Sequence, residues 1–149
     1  MTDNAKSITL KTDGWYWFIT PDASKLTPEQ CGKWMYFFED QHVAEQICQQ
    51  AIDENVCWLC KCTDLDVQRR SSGVLCFYQN ADDINAHKRI IFFMINNGLI
   101  KHTKTGKLYN LSFKYDTQTL GGEYGPCFTS KLKLEKFIDL KTGAWIYRG

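Results

Sequence analysis

The 149-residue chain has almost no excess charge, with 18 Lys and Arg against 17 Asp and Glu and a formal net charge of +1. That balance excludes the basic surplus on which non-specific duplex binding depends. Proline is scarce at three residues, and no Pro-, Gly- or Ser-rich stretch reads as a linker. Long apolar runs are missing too. The longest, Ile90 to Ile95, falls far short of the roughly 20 residues that a bilayer requires, and Met1 to Lys6 shows no charged region leading into an apolar core. The expectation is therefore a cytoplasmic protein with no membrane association. Histidine is limited to His42, His87 and His102, and no paired-carboxylate, nucleophile–base or metal-ligand constellation stands out.

What is present in quantity is aromatic and sulfur-bearing. Five Trp, seven Tyr and nine Phe favour half-buried pleated surfaces, so a sheet-rich domain is expected. Seven cysteines, an odd number, lie mostly inside apolar patterns at 31, 48, 57, 60, 62, 76 and 127, and read as reduced, metal-free side chains. Cys57-Trp58-Leu59-Cys60 is the one Cys-x-x-Cys. No second pair follows at zinc-finger spacing, and on a strand Cys57 and Cys60 would point to opposite faces.

Strand signals recur at Ser7 to Lys11, Trp15 to Ile19, Lys33 to Phe38, Val56 to Thr63, Gly73 to Gln79 and Lys107 to Tyr115, with a closing hairpin folding 137–140 onto 144–147. Thr27 and Pro28 are placed to start a single helical turn that Gly32 ends. Asp64 to Ser72 reads as a long charged hairpin loop. Two amphipathic helices are expected. One, near 41–55, buries Val43, Ala44, Ile47, Cys48, Ala51 and Ile52 behind an acidic start at Glu39-Asp40; the other, near 83–97, buries Ile84, His87, Ile91, Met94 and Ile95 behind Asp82-Asp83. Lys-Thr-Gly at 104–106 and again at 141–143 reads as shared turn chemistry. The sum is a single α+β domain over 1–149, with a curved, mostly antiparallel sheet and the two main helices packed on one face.

The element order, with Gly32-Lys33-Trp34 opening a strand, then a helix, a hairpin through Lys61 and Phe77, a second helix and a strand ending Phe113-Lys114-Tyr115-Asp116, resembles the cap-binding translation initiation factor superfamily. A closer resemblance is to its Bles-type (basophilic-leukaemia-expressed) branch, over about residues 30 to 125. It is carried by Lys114-Tyr115-Asp116, Thr119, Gly122 and Tyr124 in a Lys-x-Asp-x-x-Thr-x-x-Gly-x-Tyr pattern, in which Gly121 occupies the place before that glycine. The resemblance implies helices on the convex side and a concave or rim surface for ligand. It departs in having no placeable pair of Trp rings to sandwich a cap base, so cap recognition is not expected.

Two groups of residues carry the functional expectations. Lys33, Lys61, Lys114, Asp116, Thr119 and Tyr124 form a candidate anion-binding rim, since Lys114 lies on the wet face of an amphipathic strand just before a Gly-rich turn. Its competing description is a solvated strand end with scattered surface lysines. Trp15, Trp17, Arg69 and Arg70 form a candidate partner surface, against sheet-covering packing for the tryptophans and a mobile loop for the arginines. His87, on the inner stripe of its helix, reads as a hydrogen-bonded core residue. The favoured function is a small binding domain acting through protein contacts, of the kind an accessory or mobile-element-encoded inhibitor would use. The alternatives are a binder of a nucleotide or phosphorylated small molecule, and a phosphothreonine-lyase-like enzyme. No cofactor is expected.

Overall fold

A computed structural model of the chain describes residues 7–116 and 132–147. Ten elements follow in order: β1 (Ile8–Thr12), β2 (Trp15–Ile19), β3 (Cys31–Phe38), α1 (Gln41–Asp53), β4 (Leu59–Thr63), α2 (Leu65–Gln68), β5 (Gly73–Asn80), α3 (Ile84–Asn96), β6 (Ser112–Tyr115) and β7 (Leu132–Lys133). The strands form one open sheet in the order β1-β2-β4-β5-β3-β6-β7, and each neighbouring pair is antiparallel. This is the α+β architecture that the alternation of strand and helix patterns implies. Among the described residues no helix is long and apolar enough to cross a membrane.

The two main helices form where the acidic caps place them. Asp40 accepts hydrogen bonds from the backbone N–H groups of His42 and Val43, and Asp83 accepts one from Ala86. Both helices pack on one side of the sheet. The residues they cover lie in a cross-strand row, Phe18 opposite Cys60, Cys60 opposite Phe77, Phe77 opposite Trp34, and none of the four is more than 5% exposed. Ala44 and Cys48 of α1 and Ile90, Ile91 and Met94 of α3 complete that core with Phe113, Leu134, Phe137 and Ile138.

His87 sits inside it as a structural group. The Trp34 indole N–H donates to His87 Nδ1 at 3.1 Å, and His87 Nε2 lies 2.8 Å from the Ala81 carbonyl. The indole can only donate, so Nδ1 is the acceptor and Nε2 carries the proton. Burial holds the imidazole pKa below its ordinary value, with the Ala81 carbonyl opposing. Phe137 stacks on the ring at 4.6 Å.

Several elements differ from the sequence expectation. The strand expected over 107–115 narrows to Ser112–Tyr115, because Leu108 turns into the core while Tyr109 is exposed, breaking the alternation. The Val56 strand begins only at Leu59, and the 64–72 loop contains the one-turn helix α2, capped by Asp64. Thr27 caps a single turn as expected, its Oγ1 accepting from the Gln30 N–H and its carbonyl from the Gln30 and Cys31 N–H groups, but Gly32 lies within β3 instead of ending that turn. The closing hairpin forms without regular strands: the Asp139 N–H donates to the Ala144 carbonyl and the Ile146 N–H to the Phe137 carbonyl, around a bridge between Ile138 and Trp145. Gly106 and Gly143, ending the two Lys-Thr-Gly triplets, both take left-handed backbone at φ 86° and 77°.

Candidate recognition face

The pleat sends alternate residues of every strand away from the helices, and this second face carries most of the candidate residues. One row across it runs Leu10, Trp17, Lys61, Cys76, Met35; the next runs Ile8, Ile19, Leu59, Tyr78, Lys33, Lys114. Trp15 stands beside Trp17 on the same face, opposite Thr63. Both tryptophans are half-buried and outside the helix-side core, so packing under the helices is not their role.

Lys61 is the centre of the arrangement. Its ammonium lies 3.9 Å from the Trp15 ring centroid, 4.7 Å from that of Trp17 and 5.8 Å from that of Tyr78. A cation over ring faces is attracted by their quadrupoles, worth roughly 0.5–2 kcal/mol for a contact depending on solvation. Burial lowers the Lys61 pKa, and among the charges acting on it the Lys33 ammonium lowers it further. The Lys114 pKa is likewise lowered, by burial first and by Lys33 second.

Lys33 and Lys114 are direct cross-strand partners on β3 and β6. Like charges opposite one another are unfavourable unless an anion joins them. Asp116 answers Lys33 with a 2.8 Å ion pair, and the Cys31 thiol also points at that carboxylate at 3.5 Å. Burial and the neighbouring carboxylate push the Cys31 thiol up to about 12. Among the described residues, the Lys33, Lys61 and Lys114 ammonium groups and the Asp116 carboxylate share this strip, with aromatic rings at one end.

The backbone that brings Lys33 and Lys114 together depends on Gly32. A Cβ there would meet the Phe113 ring at 2.6 Å and the Lys114 carbonyl at 2.7 Å, so only glycine lets β6 lie this close to β3. The tripeptide Gly32-Lys33-Trp34 thus divides three tasks: close strand approach, a cation on one face and a core anchor on the other.

Of the candidate rim, Lys33, Lys61, Lys114 and Asp116 come together, while Thr119 and Tyr124 lie outside the described residues. Arg69 and Arg70 are exposed after α2, Arg69 with left-handed backbone at φ 54°. Arg70 borders a hollow of about 140 Å³ with Trp15 and Phe37, at the end of the same face, whereas Arg69 does not. The sequence reading overlooked Tyr78 and Phe37. Tyr78 could have been found from strand alternation, since it shares its face with Cys76; Phe37 is 68% exposed and reads in sequence as ordinary core.

Cys57 precedes β4, so strand alternation does not separate it from Cys60; both are buried and their thiols interact. Cys48 and Cys60 Sγ atoms are 3.1 Å apart. Burial pushes the Cys60 thiol up, and thiol contacts with Cys48 and Cys57 push it further. The six cysteines among the described residues are free thiols, and no group of three His, Cys, Asp or Glu there is arranged to hold a metal ion. Cys127 lies outside the described residues.

No family model, curated protein or solved structure matches the chain.

Proposed function

We propose that the protein is a binding domain whose sheet face turned away from α1 and α3 receives a ligand carrying both an anionic group and a flat ring, of the nucleotide or phosphorylated small-molecule class. The observation that carries this reading is the Lys61 ammonium lodged over Trp15 and Trp17, on the face where Lys33 opposes Lys114. Ammonium groups supply the anion site, and the half-buried Trp15 and Trp17 rings supply stacking that is tolerant of the ligand ring's identity. A ligand face opposite the helices is also what the Bles-type resemblance implies. The lyase reading has less support, because His87 is spent on Trp34 and Ala81 and is not presented to a substrate.

Recognition of a protein is the second reading, favoured by one observation: Phe37 projects from the same face beside Trp15 and Arg70. Thermal-shift screening against nucleoside phosphates and phosphorylated metabolites separates the two. A ligand at about 100 times its dissociation constant stabilises by roughly 2.7 kcal/mol, and that shift is expected to vanish in Lys61→Met and Lys114→Ala. A flat response across the whole panel, with a partner captured by the wild type and lost in Phe37→Asp, would replace the small-ligand reading with the protein one.

A further inference from the structure

β1 lies at the outer edge of the sheet. β1 is the first strand of the sheet order, it has β2 as its neighbour on one side, and all five of its residues are exposed. An exposed edge with apolar side chains is a template for another strand. Ile8 and Leu10 are 57% and 47% exposed, and both sit on the face turned away from α1 and α3.

Which backbone groups face outward follows from the ladder. Thr20 N–H donates to the Trp58 carbonyl, so the even-numbered backbone groups of β2 turn toward β4, and the odd-numbered Trp15, Trp17 and Ile19 turn toward β1. Their partners Thr12, Leu10 and Ile8 then point back at β2. Thr9 and Lys11 are left with N–H and C=O groups directed outward.

We infer that β1 pairs antiparallel with β1 of a second copy of this chain, about a two-fold axis through Leu10. In that register Thr9 of one copy exchanges both backbone hydrogen bonds with Lys11 of the other, and the two-fold repeats the exchange. Leu10 meets Leu10 in the close, non-hydrogen-bonded position, and Ile8 meets Thr12. No like charges oppose, since Lys11 faces a threonine. The lysine that would otherwise guard this edge is turned onto its own subunit, 3.7 Å from Asp64 Oδ2 and 5.2 Å from the Tyr16 ring centroid. Asp64 Oδ2 has no hydrogen-bond partner, so this ion pair is its compensation, and it helps keep Lys11 on its own subunit. A second copy is favoured over an unrelated strand because the segment is complementary to itself in sequence and in hydrogen-bond phase. The contact is small against a standard interface, so the dimer is a weak one that concentration controls.

Sedimentation equilibrium of the full chain over a concentration series tests this. The wild type is expected to show a reversible monomer–dimer equilibrium. Thr9→Pro removes an outward-facing donor, a change that edge strands tolerate, and is expected to weaken the dimer at least about tenfold, equivalent to about 1.4 kcal/mol, with an unchanged circular dichroism spectrum and melting midpoint at low concentration. Leu10→Cys reports on register, because identical residues on the axis are within disulfide reach whereas Thr9→Cys residues are not paired with each other. Covalent dimer from Leu10→Cys, and not from Thr9→Cys, supports the two-fold register. A wild type that stays monomeric at the highest attainable concentration, or equal cross-linking by both variants, overturns it.

Discussion

The two faces of this sheet are made by the same strands, one residue out of phase, and they solve different problems. On the helix side the row Phe18, Cys60, Phe77, Trp34 is apolar and closed to water, and its one ring N–H, that of Trp34, donates to His87 Nδ1. On the other side the neighbouring row places Trp17, Lys61 and Cys76, and the one after it Tyr78, Lys33 and Lys114. Lys33 and Lys114 stand opposite one another across β3 and β6, with Asp116 paired to Lys33 at 2.8 Å. Lysines held with lowered pKa on an aromatic floor are a cost borne by the fold, and perturbed groups of that kind collect at functional surfaces. A single step in register therefore separates the core-forming face from the face that carries the lysines and tryptophans.

Breaking the helix side should therefore cost folding. Trp34→Ala removes a fully buried ring and leaves His87 Nδ1 without its donor, and the expected loss is about 3–5 kcal/mol in urea denaturation. Gly32→Ala is next. Its Cβ would overlap the Phe113 ring and the Lys114 carbonyl, and about 1–3 kcal/mol of overpacking is expected. Because that strain parts β6 from β3, Gly32→Ala should also weaken ligand binding, so it is the one helix-side change expected to register on both faces.

His87 gives the comparison a pH dependence. Its folded pKa is below the ordinary 6.5, so as pH falls through that value the unfolded chain takes up a proton that the native protein refuses. Stability from this group is complete above the unfolded pKa and declines as pH drops toward the folded one, by up to about 1.4 kcal/mol per pH unit. Unfolding midpoints measured from pH 7.5 downward should fall more steeply for the wild type than for His87→Phe. Parallel slopes would assign the acid sensitivity to other groups.

Changes on the face turned away from α1 and α3 should leave stability within about 1 kcal/mol while removing the proposed ligand binding. Lys61→Met keeps the chain length, deletes the cation over Trp15 and Trp17, and is expected to abolish a ligand-induced thermal shift with the unliganded midpoint almost unmoved. An anionic ligand also raises the pKa of the lysines it contacts, so binding measured by calorimetry should take up protons and weaken as pH rises through the lowered lysine range. A ligand whose affinity is the same at neutral and alkaline pH would point away from Lys61 and Lys114 as its contacts.

The helices were the most legible part of the chain, because a stripe repeating at three and four residues behind Asp40 or Asp83 is local information. His87 was legible for the same reason: its position on the inner stripe implies a satisfied core side chain. The strands were legible as apolar runs, but their ends were not. Leu108 and Tyr109 break the alternation before Ser112 only because the Leu108 N–H is drawn to the Leu140 carbonyl, a contact between segments far apart in sequence.

By itself, then, the sequence determined the α+β class, the two helices and their caps, and the choice of Lys33, Lys61, Lys114 and Asp116 as candidates, since each of these follows from residue type and local period. Only the tertiary structure decided that the lysines share one face with Trp15, Trp17 and Tyr78. Which face a strand residue takes depends on register with its neighbours, and the order β2-β4-β5-β3-β6 joins strands that the chain visits in another sequence. Lys61 reaches Trp17 across one strand boundary and Lys33 reaches Lys114 across another, and both meetings were fixed by packing the apolar row on the opposite side.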